Sequence, residues 1–186
     1  TAGNATTARK LGGCPTWYET NVDAGTSGSG AGNGAIRTDG TQRAFTEDQL
    51  KGILVSCYNE GGNPNMIMVN AFNKQKLSGF TGGSTRFDAA EDRRLITSID
   101  VYESDFGTMQ VAPNRFIRGA NGTAAKIGQD AHILDMEYWA VSFLRDFSLQ
   151  TPAQTADADQ RFMVAEYTLE SRNEKASGLI TDLTTS

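Results

Sequence analysis

Histidine and cysteine are nearly absent from this sequence, with one of the first and two of the second in 186 residues. Cys14 and Cys57 are too few for a disulfide framework and, with His132, too few for a Cys/His zinc site, so a reducing compartment is the default expectation. An excess of positive charge is missing too. The formal net charge of −5 gives no field to draw the chain to phosphate backbones or anionic lipid, which argues against nucleic-acid recognition through a basic face. Long hydrophobic runs are lacking: Met66–Val69 falls far short of the roughly 20 residues that cross a bilayer, and no charged-then-apolar signal segment opens the chain. No internal repeat is visible at any period. Apolar residues reach only 38 % and charged residues 21 %, a polar, loop-rich profile that is still not charged enough for disorder. The length fits one domain, or one domain with an irregular appendage.

What is present has order along the chain. Residues 1–44 read as an irregular, glycine-rich appendage: Trp17 and Tyr18 pack onto something, and Gly25 to Gly34, GTSGSGAGNG, is expected to be an exposed mobile loop. Residues 45–186 read as an α+β core. Thr46 is a good N-cap and Gln49 can close a capping box. Leu50, Ile53, Leu54, Cys57 and Tyr58 then fall on one helical face, and Gly61-Gly62 stops the helix. Met66–Val69 reads as a buried strand, and Asn70 caps a second helix from Ala71 to Leu77. Period-two patterning from Leu95 to Glu103, turn residues Ser104 to Gly107, and Thr108 to Ala112 read as a hairpin that Pro113 ends. His132–Leu134, Trp139–Asp146 and Gln160–Ser171 are further strands, and Leu179 to Leu183 is a last apolar run. Helices first and strands later favour α+β with a mixed or antiparallel sheet and flanking helices over alternating βαβ units.

No motif names a reaction. Asp105-Phe106-Gly107 matches the magnesium-binding tripeptide of protein kinases, but that machinery needs a preceding His-Arg-Asp loop and the single histidine comes later. A hairpin turn with Asp105 bonding its own backbone is the expected reading. One histidine leaves a nucleophilic triad nearly unbuildable, His132 is expected in the core or at its edge, and Cys57 is expected as a small core residue. Asn4 and Asn121 fit glycosylation acceptor patterns but read as loop residues. Arg86, Asp88, Glu91, Asp92, Arg93 and Arg94 alternate in sign, which suits an ion-pair region, either a contact between subunits or a solvated loop, better than a glycosidase pair or calcium loop. No catalytic residue, cofactor-binding residue or metal ligand set is expected.

Five ordered segments carry a resemblance: LGGCPTWYETN at Leu11 to Asn21, NEGGNPNMIMVN at Asn59 to Asn70, VYESDFGTMQVAPNRF at Val101 to Phe116, HILDMEYWAVSFLRDF at His132 to Phe147, and VAEYTLESRNEKASGLITDL at Val164 to Leu183. Together they resemble the major capsid (major head) proteins of tailed bacteriophages, the SU10-like family with the Hong Kong ninety-seven type fold. The resemblance implies that residues 45–186 include an axial domain converging at capsomer centres and that residues 1–44 are part of a peripheral region. The N-terminal arm, extended loop and spine helix of that family are not recognisable before Leu11, so the resemblance implies the C-terminal portion of a longer protein.

What the resemblance implies about function is a structural subunit and no enzyme, self-assembling as pentamers and hexamers of an icosahedral shell around viral DNA. Scaffold, protease, portal or decoration proteins are the implied further partners, packaged DNA is touched only non-specifically, and no membrane is involved. The location implied is the virion capsid, assembled in the host cytoplasm. On this reading Arg86, Asp88, Glu91, Asp92, Arg93 and Arg94 form a polar patch between subunits. The competing readings are another virion structural protein, a β-rich binding module using the glycine-rich loops, and a hydrolase built on carboxylates or a lysine base.

Overall fold

A computed structural model describes residues 4–8, 11–32, 34–80, 100–117, 127–153, 157 and 159–185. Its centre is a mixed six-stranded sheet flanked by two helices. The strands are β1 (Val22–Asp23), β2 (Met66–Val69), β3 (Val101–Ser104), β4 (Gly107–Pro113), β5 (Ala131–Leu134) and β8 (Gly178–Ile180), in the spatial order β1-β8-β5-β2-β4-β3. The β1–β8 and β2–β4 pairs are parallel, and the others are antiparallel. Two longer strands, β6 (Trp139–Gln150) and β7 (Phe162–Ser171), pair only with each other.

Local chemistry explains the helices. Helix α1 (Glu47–Asn59) starts at Thr46, whose side chain accepts from Gln49 N–H while Gln49 returns a bond to the Thr46 N–H, and Glu47 and Asp48 complement the helix dipole in its first turn. Helix α2 (Ala71–Ser78) is capped by Asn70, which accepts from Asn73 N–H. Leu50, Ile53, Leu54 and Cys57 of α1 and Leu77 of α2 pack with Ile67, Val69, Met109, Val111, Ala131, Ile133 and Ile180 on one face of the sheet. The alternate residues of the same strands, Met66, Met68, Leu134 and Leu179, turn to the other face, where Tyr18, Cys14, Val22 and Trp139 cover them. The central strands are thus apolar on both sides, which is why they read as continuous apolar runs.

Several expectations need correction. Tyr58 shares the helical phase of the buried residues but is exposed, because at the end of α1 it reaches Phe106 in the β3–β4 turn, with ring centroids 5.0 Å apart. That turn is not organised by Asp105. Ser104 Oγ accepts from the Phe106 N–H and donates to the Gly107 carbonyl, and Gly107 adopts φ 137°, which a side chain would resist. The described strand before the turn begins at Val101; residues 95–99 lie outside the described residues. Within the Gly25 to Gly34 segment Thr26, Ser27 and Ser29 are exposed as expected, but Gly25 and Gly32 are buried. The backbone at these two glycines is tied down: Gly25 N–H donates to Asp182 and Gly32 N–H to the Tyr18 carbonyl. The final apolar run is a strand only to Ile180, because Asp182 takes φ 60° and turns the chain so that Leu183 bridges to Arg43.

Candidate assembly surface

The β6–β7 ribbon leaves the main sheet between β5 and β8. Its base is anchored on the second sheet face, where the Trp139 ring lies 5.9 Å from that of Tyr18 and Trp139 Nε1 donates to Ser177 Oγ at 3.0 Å. Asp135 sets the exit, accepting from Asn63 N–H and Glu137 N–H while its own N–H donates to Ser177 Oγ. Beyond that anchor the strands are held by each other.

The register sorts the ribbon into two unlike faces. Val141 pairs with Leu169, Phe143 with Tyr167 and Leu149 with Met163, and these β7 partners alternate along the strand, so all lie on one side. Phe147 joins them, its ring 6.1 Å from that of Phe143. The other side carries Ser142 opposite Thr168 and Arg145 opposite Glu166. Arg145 forks onto Glu166 through Nη2 at 2.6 Å and Nε at 2.9 Å, and Ser142 donates to Glu170. The Ser142 hydroxyl, with help from Arg172, holds the Glu170 carboxyl below its usual range. Register shifts between Phe143 and Arg145 and between Arg145 and Ser148 add twist, and beyond them the second side is no longer wholly polar, since Ser148 pairs with Val164 and Gln150 with the exposed Phe162.

The apolar side is uncovered. Phe147 is 62 % exposed, Met163 67 % and Leu149 60 %, with Val141, Phe143 and Tyr167 each half exposed or more. At the usual size of such side chains the face offers on the order of 700 Å² of apolar surface, above the 300–600 Å² that monomers commonly tolerate. A two-stranded ribbon alone is marginal in water, so a face of this kind is stabilised by what comes to lie on it.

Arg86, Asp88, Glu91, Asp92, Arg93 and Arg94 lie outside the described residues, as does Asn121. The structure brings together a pairing with no local signal in the chain: Cys14 Sγ lies 4.0 Å from His132 Nδ1 and 3.1 Å from Tyr18 Oη. A working cysteine–histidine pair needs a lowered thiol pKa and a raised imidazole pKa. Here burial pushes Cys14 up to about 11, against the Tyr18 hydrogen bond, and burial with the nearby Arg37 charge pulls His132 down to about 4. Both groups are neutral at pH 7 and act as packing. Cys57 is buried, as expected, and burial raises it to about 12. Among the described residues no group of three or more histidine, cysteine, aspartate or glutamate side chains is placed to hold a metal ion, and no helix is long and apolar enough to cross a membrane. The ribbon face was missed at the sequence level, although Met163, Ala165, Tyr167 and Leu169 carry the period-two signal.

Comparison with known proteins adds the family. No curated protein matches the chain. Among solved structures, a chain of the holo-SrpI encapsulin complex from Synechococcus elongatus PCC 7942 is similar at TM-score 0.41 and 14 % identity, over 75 % of this chain and 50 % of that one. This chain therefore spans half the length of that neighbour. The SU10 major capsid protein family model matches residues 1–184. Because the match runs through the two-faced sheet, both helices and the exposed ribbon alike, the chain belongs to the SU10 major capsid protein family.

Proposed function

We propose that this chain is a structural subunit of an icosahedral bacteriophage head, assembling with copies of itself into the shell that encloses viral DNA, and that it has no reaction of its own. The observation that carries this reading is the apolar face of the β6–β7 ribbon, which in the shell lies against a second copy of the protein. A face of about 700 Å² approaches the roughly 800 Å² per partner of a stable protein interface, and family membership supplies the partner: further copies of the same chain. Membership of a capsid protein family supports a structural role without catalysis.

On the same reading, residues 45–186 include the axial domain and residues 1–44 belong to the peripheral region. Arg86, Asp88, Glu91, Asp92, Arg93 and Arg94 supply a polar contact between subunits, scaffold, protease, portal or decoration proteins are the further partners, and assembly takes place in the host cytoplasm. The acidic net charge of −5 suits a wall that touches packaged DNA without gripping it.

The test is particle formation by the protein in its native length, followed by sedimentation and electron microscopy. Phe143→Asp with Tyr167→Asp is expected to abolish particles while leaving a folded, slowly sedimenting protein, whereas Thr168→Asp on the polar face leaves assembly intact. Normal particles from the double variant would overturn the role of the ribbon. Reversal of Arg93 and Arg94 to glutamate is expected to reduce particle yield, and unchanged yield would remove that run from the interface.

A further inference from the structure

We propose that Arg37 is the pin of a clasp that closes residues 25–43 onto the end of the main sheet, with Asp130, Asp182 and Asp39 as its seat, and that this segment opens as a unit, separately from the sheet, as pH rises.

The segment has almost nothing apolar to hold it. Ile36, its large hydrophobic residue, is exposed, while Arg37 is buried with its side chain wholly out of solvent. The guanidinium meets Asp130 twice, through Nη2 at 2.8 Å and Nε at 3.4 Å. Its Nη1 lies 3.2 Å from Asp182 Oδ1 and 2.7 Å from Asp39 Oδ1. Asp182 also closes the neck of the loop, accepting from Gly25 N–H and Gly40 N–H at 2.9 Å each, and Thr41 N–H donates to the Thr26 carbonyl alongside. Inside the loop, Ser29 and Thr38 exchange backbone hydrogen bonds. This is a compact loop with joined ends, whose buried Arg37 fastens it to the core alongside backbone bonds from Gly32 to Tyr18 and from Arg43 to Asp182.

The seat is overfilled with negative charge. Three carboxylates surround one guanidinium, and the other charged or titratable groups nearby do not offset the excess: His132 on β5 is held neutral, Cys14 and Tyr18 beside it are protonated, and Arg43 is engaged with Asp23 at 2.8 Å. Asp182 is the member kept ionised; burial opposes that, but the Gly40 and Gly25 N–H groups, the Thr181 hydroxyl and Arg37 together hold its pKa below the ordinary value. Asp130 is the member that takes a proton. Burial pushes it up to about 7 in spite of Arg37, with the Asp182 and Asp39 charges adding to the rise. The closed clasp therefore holds that proton below pH 7 and the open one does not, so opening becomes easier as the pH rises toward 7 and levels off above it.

Hydrogen–deuterium exchange on the full chain tests this, with protection corrected for intrinsic exchange. Between pH 6 and pH 8.5, amides of residues 25–43 are expected to lose about tenfold in protection, the linkage of opening to one proton with folded pKa near 7, while β2 and β5 keep theirs. Asp130→Asn is expected to abolish the pH difference. Arg37→Lys, which cannot bridge the carboxylates in the same fork, is expected to expose the segment at both pH values. Equal protection of the segment at both pH values in the wild type, or loss of protection in the sheet together with the segment, would overturn the proposal. Neither outcome depends on whether the protein forms shells.

Discussion

Gly62 sits against the backbone of Ala176 so closely that a β-carbon on it would lie 2.5 Å from the Ala176 Cα and 2.6 Å from its carbonyl oxygen. This contact brings the end of α1 against the turn leading into β8, and neither side is a flexible side-chain tip that could swing away. Gly62→Ala is therefore expected to destabilise the fold by about 1–3 kcal/mol, as overpacking does. Gly52, in the exposed interior of α1 with nothing within 4 Å, is the matched control: Gly52→Ala should stabilise by about 0.5–1 kcal/mol through helix propensity. Chemical denaturation of both variants reads the opposite signs directly.

The start of the same helix gives a second expectation. Thr46 Oγ1 accepts from Gln49 N–H at 3.4 Å and Gln49 Oε1 accepts from Thr46 N–H at 3.0 Å. Thr46→Ala is expected to lower stability by about 1 kcal/mol. A shift of the denaturation midpoint without change in slope would place the effect in the folded state.

His132 and Asp130 oppose one another as pH changes. The folded pKa of His132, lowered by burial to about 4, gives stability that is present above the unfolded value of 6.5 and lost as pH falls toward 4. Asp130, raised by burial to about 7, gives stability that is full below the unfolded value of 3.8 and lost as pH rises toward 7. Across the shared window, about pH 4 to 6.5, the two slopes cancel. His132→Gln is expected to make stability fall with rising pH there, and Asp130→Asn to make it rise, with the wild type flatter than either in a series of denaturation curves.

Thiol chemistry follows from burial in the same way. Cys14 and Cys57 are both free and both held well above the usual cysteine pKa. At neutral pH a thiol-reactive dye is expected to label neither at an appreciable rate in the folded chain and both once it is unfolded. Rapid labelling of Cys14 in the folded chain would contradict its packing against Tyr18 and His132.

Much of this fold was legible because its signals are local. The Thr46–Gln49 box, the Asn70 cap, the apolar phase of Leu50, Ile53, Leu54 and Cys57, and the Ser104–Gly107 turn each lie within a few residues of what they specify. The Arg37 seat was invisible for the opposite reason: its partners, Asp130 and Asp182, are 93 and 145 positions away. The ribbon falls between these cases. Its strands were legible, but alternation says only that one face is apolar, and an exposed apolar face carries the same pattern as a buried one. The resemblance named the family correctly, while the run from Arg86 to Arg94 was singled out by charge alone, which marks a polar surface without marking its contacts.

The spatial order of the main sheet has a consequence for biosynthesis. Strand β8, which follows the whole β6–β7 ribbon in the chain, lies between β1 and β5 and hydrogen-bonds to both. Until Gly178 to Ile180 leave the ribosome, β1 has no neighbour in the sheet and β5 has an open edge. Non-local pairing of this kind is slow because loop-closure entropy must be met before the contacts form. The sheet therefore closes only after translation has passed Ile180, so the apolar ribbon is made before the sheet that anchors it is complete.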